Sequence, residues 1–321
     1  MMNNTMLQTT LPLPRRRLGK TGLNIPVIPF GTQGFGNNFG FVADEEAVAL
    51  IKHAIKLGVN HFDCARCYGD SLRKLGLAMK KIPRQDVIIT GRLCCHSAAQ
   101  WGFYGEGTPD YSAERVIRDV EDQLTILNID YFDGMLIHDP VQIEPTLAKG
   151  GTLAGLLQLK TRGLVRNVGF GMRQHDFHLK AIATGDVDLL LCFNDYNLLR
   201  QTAADDILPA ATAADIGIMN GWSILRGLLT GIDIDEAQAK GRYKNDKDAD
   251  AAKALRQWCL AEEINLLQLA LQFCLKEGRI HANPLGNLNV EQLEANVWAA
   301  STPLPDAVWE KFTTHFGQPQ S

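Results

Sequence analysis

The chain has 321 residues, with 32 Lys and Arg against 36 Asp and Glu for a net charge of −4, and it is 45% apolar and 21% charged. This balance excludes a disordered chain and gives no basic footprint for nucleic acid or an anionic membrane as a partner. No apolar run approaches the roughly 18 residues of a membrane span, and seven sparse cysteines point to a reducing, cytoplasmic setting rather than a disulfide scaffold.

From Met1 to Ala43 there is no acidic residue, and Arg15, Arg16, Arg17 and Lys20 cluster. An organellar leader shares that composition, but Arg17–Leu23 reads better as a tight turn, with Gly19 and Gly22 permitting φ > 0. Short apolar runs then recur at Pro26–Phe30, His61–Asp63, Asp86–Thr90, Gly134–Ile137, Val165–Phe170, Leu189–Phe193, Gly217–Asn220 and Ile280–Ala282. Between them lie amphipathic stretches. Glu45–Leu57 carries Ala47, Val48, Ile51, Ala54 and Ile55 on one stripe, and Ala113–Leu127 carries Val116, Val120, Leu124 and Leu127. Further helices are expected at Ser71–Lys80, Thr152–Thr161, Asp205–Ala214, Asn265–Lys276 and Val290–Ala299.

Eight strand–helix alternations of this kind predict a (β/α)8 TIM barrel over 15–321, with an N-terminal hairpin and a short arm over 1–14. The competing architecture is an open doubly wound sheet, which requires a Gly-rich turn leading from the first strand directly into a helix. The only candidate, Gly31-Thr32-Gln33-Gly34-Phe35-Gly36, has the wrong spacing and runs into Asn37, Asn38 and Gly40 instead.

In a barrel, chemistry sits at the carboxyl ends of the strands. Those ends carry Asp63, Tyr68, Arg92 and His138, a workable set for proton transfer. Arg92 is expected to favour the Tyr68 phenolate and lower its pKa, Asp63 to pair with Arg92, and His138 to donate to a substrate oxygen. A purely structural Asp63–Arg92 ion pair is the alternative for the arginine.

Gly58-Val59-Asn60-His61-Phe62-Asp63-Cys64-Ala65-Arg66-Cys67-Tyr68-Gly69-Asp70-Ser71 resembles the aldo-keto reductase signature GxNxFDTAxxYGxSE. The likeness runs from Arg17 to Trp298. It takes in Leu18–Leu23 (LGxTGLxV), Asp130–His138 (DxxDxxxxH), Gly163–Gly169 (GKVRxIG), Tyr196–Leu199 (YNLL), Gly227–Gly231 (GLLTG) and Gly286–Asn296 (GxxxxxQLxEN). Ala65-Arg66 and Met219-Asn220-Gly221 look most like the branch that oxidises free sugars such as galactose, fucose or arabinose.

The resemblance implies an NAD(P)-dependent oxidoreductase that interconverts a small polar carbonyl or sugar lactol and its alcohol or lactone. Its Asp, Tyr, Lys, His tetrad would fall on Asp63, Tyr68, Arg92 and His138, with arginine in place of lysine. It also implies cofactor contacts from Gly31, Thr32, Asp63, Gly171, Phe193, Trp222, Ile224, Arg226, Gly286, Gln292 and Asn296. Trp101, Phe103 and Tyr104, in the long segment 97–112 after the third strand, are expected to line a substrate pocket with Phe35, simple loop packing being the alternative. Three family features are changed: Gly171-Met172 and Phe193 replace the carboxamide-holding set, and Gly221, followed by Trp222, replaces the nicotinamide-stacking tyrosine. Those changes keep open a rival: a barrel without net redox turnover, serving as a ligand-binding protein, a lyase or isomerase, or a partner subunit. Gly286–Gln292 contains no Lys or Arg and does contain Glu291, so NAD(H) is expected over NADP(H).

Cys64-x-x-Cys67 and Cys94-Cys95, with His96, form a separate constellation. Free thiols without a stoichiometric metal are expected, because Cys64 and Cys67 flank Tyr68 and alternate strand positions face apart. His175 and His178 read as surface residues ahead of a helix, and Asp233–Asp250 as a helix-poor solvated loop.

Overall fold

The computed structural model describes residues 11–37, 40–94, 109–244 and 246–317. It begins with an antiparallel hairpin, β1 (Arg15–Arg17) against β2 (Asn24–Pro26), turned through Gly19–Thr21 and Gly22. Eight parallel strands follow in chain order around a barrel: β3 (Phe30–Gly31), β4 (His61–Asp63), β5 (Ile88–Cys94), β6 (Gly134–His138), β7 (Val168–Met172), β8 (Leu189–Phe193), β9 (Gly217–Gly221) and β10 (Leu285–Gly286). β10 pairs with β3, and a Met219–Ala282 bridge joins β9 to the chain entering β10 and closes the ring.

The helices between the strands are α1 (Asp44–Lys56), α2 (Ser71–Met79), α3 (Ala113–Leu127), α4 (Ile143–Leu147), α5 (Thr152–Thr161), α6 (His175–Ala183), α7 (Ile207–Ala213), α8 (Ile234–Ala239), α9 (Ala249–Ala261) and α10 (Leu266–Lys276). After β10 come α11 (Val290–Ser301) and α12 (Asp306–Phe316). Local chemistry sets several starts. Ser112 Oγ accepts from Arg115 N before α3, Asn265 Oδ1 from Gln268 N before α10, and Asn289 Oδ1 from Gln292 N before α11.

The barrel is thus borne out and the open sheet is excluded, but the fifth expected strand, Val165–Phe170, is shifted to Val168–Met172, and three further strand positions differ from expectation. The first expected strand, Pro26–Phe30, is split: Asn24–Pro26 joins the hairpin and only Phe30–Gly31 joins the barrel. Pro26 and Pro29 have no N–H for a ladder, so this stretch serves mainly as acceptor, with Asn283 N donating to Val27 O and Leu285 N to Pro29 O. At the other end Pro284 divides the eighth strand, so Ala282 bridges to β9 while Leu285–Gly286 pairs with β3. β5 runs past Thr90 to Cys94 because Gly91 is not a terminator. A Cβ there would lie 2.6 Å from Met135 Cε and 2.8 Å from Phe132 Cε1.

Side chains alternate across the strands. Leu136, Leu189, Leu191 and Met219 point into the barrel, where hairpin residues Leu18 and Ile25 plug the bottom. Met135, Ile137, Leu190 and Cys192 point outward to the larger core beneath the helices. By that parity Asp63, Arg92 and His138 face inward at the open end.

Two further expectations are corrected. His175 and His178 lie inside α6; His178 is fully buried and bonds Met172 O at 2.9 Å, while His175 bonds Asp206 at 2.8 Å. Asp233–Asp250 contains α8 and the start of α9, started by Asp233 Oδ1 accepting from Glu236 N.

His61 and His178 are completely buried, and neither Nδ1 has a partner. Desolvation lowers their pKa values from 6.5 to about 3 and about 4. Both histidines are therefore neutral in the folded chain and protonate more readily when it unfolds. Their contribution is present above about pH 6.5 and is lost as pH falls toward 4, at up to about 1.4 kcal/mol per histidine per pH unit. Urea unfolding at pH 7.5, 6 and 5 checks this: the midpoint drops stepwise, and His178→Gln flattens the drop. A midpoint independent of pH over that range contradicts it.

Candidate active site

Three adjacent strands present the site. Asp63 ends β4, Arg92 stands two residues before the end of β5, and His138 ends β6. Tyr68 follows β4 in a turn whose position is set by glycine. A Cβ on Gly36 would fall 2.3 Å from Tyr68 O, and one on Gly69, at φ +56°, would fall 2.6 Å from Gly36 O. No residue with a side chain fits at either contact, so the segment after β3 lies directly on the tyrosine turn.

All four residues are buried, none more than 8% exposed. Arg92 meets Asp63 through both arms of its fork, Nε to Oδ1 at 3.1 Å and Nη2 to Oδ2 at 2.5 Å. Its remaining arm lies 3.4 Å from His138 Nε2, and the guanidinium carbon is 5.7 Å from the Tyr68 ring centre. Tyr68 and His138 meet edge to face at 6.0 Å. Burial lowers the Arg92 pKa, but Asp63 and Tyr68 outweigh it and leave the guanidinium raised and charged.

The sequence places a cation beside Tyr68 and expects a lowered phenol pKa; the structure reverses the direction. Burial is the largest influence on Tyr68 and outweighs the charge of Arg92, so its pKa is well above the ordinary value. Arg92's charge is largely matched by Asp63, which itself pushes the phenol further up. Tyr68 is thus a phenol at neutral pH, set to give a proton.

Several implied contacts have other tasks. Thr32 is fully buried; its hydroxyl donates to Asp63 O at 3.1 Å and accepts from Ser71 Oγ at 2.7 Å, which fixes the end of β4. Phe35 is not pocket lining: it is fully buried in the outer core, 5.4 Å from Phe30. Asn296 Nδ2 donates to Asn287 Oδ1 at 2.8 Å, and Gln292 Oε1 accepts from Leu288 N at 2.9 Å, so both brace the segment after β10. Trp101, Phe103, Tyr104, Cys95 and His96 lie outside the described residues.

Three of the remaining implied cofactor residues, Phe193, Trp222 and Arg226, contact one another. Half-buried Phe193 and Trp222 meet at a tilt of 56° with ring centres 5.4 Å apart, and Arg226 covers Trp222 at 4.6 Å. Arg226 also pairs with Asp246 Oδ2 at 2.6 Å, while Tyr243 Oη donates to Arg226 O at 2.6 Å. The segment read as a loop is therefore tied to Arg226. Ser223 Oγ is buried here without a hydrogen-bond partner, and Gly286 is exposed, with only Gly31 O, at 3.9 Å, near where a Cβ would stand. Aromatic faces, an unsatisfied hydroxyl, an exposed guanidinium and a bare backbone fit a dinucleotide.

Sequence reasoning missed one grouping. Cys64 faces the outer core, away from Cys67. Cys67 instead meets Cys94 and His138, each sulfur 3.4 Å from His138 Nδ1. The signal lay in the strand register, which sets Cys94 opposite His138 across β5 and β6. A hydrogen bond with Cys94 lowers the Cys67 pKa to about 5, with His138 adding to the effect, and the same bond raises Cys94.

An eight-stranded barrel with Asp, Tyr, a buried cation and His at its carboxyl mouth defines an oxidoreductase of the aldo-keto type. The aldo/keto reductase family model matches residues 27–316, and the chain belongs to that family. It is 31% identical over 293 residues to an L-galactose dehydrogenase of Arabidopsis thaliana, covering 89% of this chain and 88% of that protein. It is 26% identical to a D-threo-aldose 1-dehydrogenase of a Pseudomonas species, over 90% of this chain and 93% of the relative. The fold superimposes on an aldo-keto reductase from Bacillus halodurans in its holo form with a TM-score of 0.78, at 21% identity, covering 96% and 98% of the two chains.

Proposed function

We propose that this chain is an NAD(H)-dependent sugar dehydrogenase that interconverts a sugar lactol and its lactone, with Tyr68 as the proton-transfer group. The observation that carries this reading is the convergence of the buried Tyr68 phenol, the Asp63–Arg92 pair and His138 on one mouth. When bound, NAD(P)(H) supplies or accepts the hydride. Tyr68 Oη takes the proton of the substrate hydroxyl in oxidation and returns it in reduction. Arg92, fixed by Asp63, sets a positive charge beside the Tyr68 ring, and His138 Nε2 orients the substrate oxygen. Phe193, Trp222, Ser223 and Arg226 would hold the dinucleotide. The likeness to sugar dehydrogenases supports the substrate class. No helix among the described residues is long and apolar enough to cross a membrane.

Initial rates of NAD+ reduction with galactose, fucose and arabinose, against simple aldehydes with NADH, test the substrate class. Turnover with no sugar contradicts it.

The preference for NAD(H) rests on the segment after β10. Gly286–Gln292 has no cation, exposed Glu291 stands at the start of α11, and Leu288 packs toward Gly34. Arg226 is already matched by Asp246. Each charge-assisted bond missing to a 2′-phosphate is worth about 1.5–3 kcal/mol. NADH is therefore expected to bind about tenfold or more tightly than NADPH. Dissociation constants from fluorescence quenching at one ionic strength decide it, and tighter NADPH binding overturns it.

A further inference from the structure

We propose that Cys67 Sγ, Cys94 Sγ and His138 Nδ1 form a site for one zinc-class metal ion, held on the face of His138 turned away from the Arg92 side. The three donor atoms lie within 4.8 Å of one another. Each sulfur stands 3.4 Å from Nδ1. Bonds of about 2.3 Å to sulfur and 2.0–2.1 Å to nitrogen in a tetrahedron put neighbouring S and N ligands roughly 3.5 Å apart. The two S–N edges therefore already have the spacing of a zinc tetrahedron.

The donor set suits the ion as well as the spacing does. Two thiolates and one imidazole select a soft or borderline cation over magnesium or calcium, and three protein ligands leave the fourth position open. Two thiolates balance a divalent charge. The nearby guanidinium of Arg92 does not add an unmatched positive charge, because Asp63 grips it through two bonds. Ala65 and the Tyr68 ring complete a small cluster around the sulfurs, apart from the main core. Register builds the site: Cys94 and His138 are direct partners across β5 and β6, and the turn fixed by Gly36 and Gly69 delivers Cys67 to them.

An ion on Nδ1 also fixes the imidazole. It places the ring proton on Nε2, the nitrogen 3.4 Å from Asp139 Oδ2, so His138 becomes an N–H donor at the mouth, and the Arg92 arm, itself a donor, must turn from it. The metal site does not depend on the redox reading. A non-redox barrel with these three residues would bind the ion equally.

The test uses the full chain, reduced with a phosphine and stripped with a chelator. Zinc is titrated in competition with a chromophoric chelator, and Co2+ is followed by absorption. One ion per chain is expected, with thiolate-to-cobalt charge transfer and intense tetrahedral ligand-field bands. Cys67→Ser and Cys94→Ser should each weaken zinc by about 100-fold or more, while Cys64→Ser leaves the titration unchanged. If a serine variant does not fold, the cobalt spectrum of the parent chain decides alone. Less than half an equivalent of zinc, an octahedral cobalt spectrum, or unchanged affinity in the folded Cys67 and Cys94 variants overturns the proposal. So does a Cys67–Cys94 disulfide whose reduced form takes up no ion.

Discussion

Tyr68→Phe is expected to lower turnover by a factor of about 10²–10⁴ while leaving dinucleotide binding intact. The substitution removes one oxygen and one proton from a ring otherwise fixed by packing, since Tyr68 is 8% exposed and meets His138 edge to face. The ring stays, so the loss reports the proton and not the fold. The wild-type pH profile adds a second readout with a defined sign. Because burial holds the phenol pKa well above the ordinary range, the acid form persists through neutral pH. Carbonyl reduction should be flat there and fall only above about pH 10. Sugar oxidation needs the phenolate and should rise with pH over the same alkaline range. Steady-state rates in both directions, with NADH affinity measured alongside, check the assignment. Near-normal turnover in the phenylalanine variant rules Tyr68 out as the proton-transfer group.

Arg92→Met is expected to destabilise the fold by about 3–5 kcal/mol. Asp63 is 2% exposed, and Arg92 is its one ion-pair partner among the described residues, through bonds of 3.1 and 2.5 Å. Methionine fills much of the space but leaves a carboxylate buried without its cation. Arg92→Lys tests a different quantity. It keeps the charge and restores the residue usual in the family this chain belongs to, but an ammonium cannot reproduce the bidentate fork. The lysine variant should therefore lose less stability than the methionine variant and retain turnover. Denaturant unfolding of the three chains, with rates for the folded ones, separates charge from geometry. If Arg92→Met proves as stable as the parent, the ion pair does not hold the mouth together.

Much of this molecule was legible because its barrel repeats one simple pattern. The amphipathic stripe at Ala113–Leu127 and the helix expected at Thr152–Thr161 became helices with those bounds, and His61–Asp63 and Leu189–Phe193 became strands with theirs. Local periodicity suffices where an element buries one face against a continuous core. It failed where hydrogen-bonding capacity rather than apolar content set the boundary. Pro26, Pro29 and Pro284 dispersed the first and eighth strands, while Gly91, which resembles a stop, is demanded by the close approach of Met135 and Phe132. α6 begins at the first of the two histidines that the sequence puts ahead of it, because burial and a bond to Met172 O make His178 part of the core.

By itself, the sequence determined the identity of the residues at the barrel mouth. Once strand parity places Asp63, Arg92 and His138 inward, the barrel topology leaves them nowhere else to go. Tertiary structure decided what those residues experience. The sign of the Tyr68 shift depends on burial competing with a charge that Asp63 already matches, and no spacing along the chain encodes that competition. The meeting of Cys67 with Cys94 and His138 depends on strand register and on a turn held by two glycines far apart in sequence. Alternation along the chain already sets Cys64 and Cys67 apart, and the pleat of β4 and the turn after it send the two side chains to different cores.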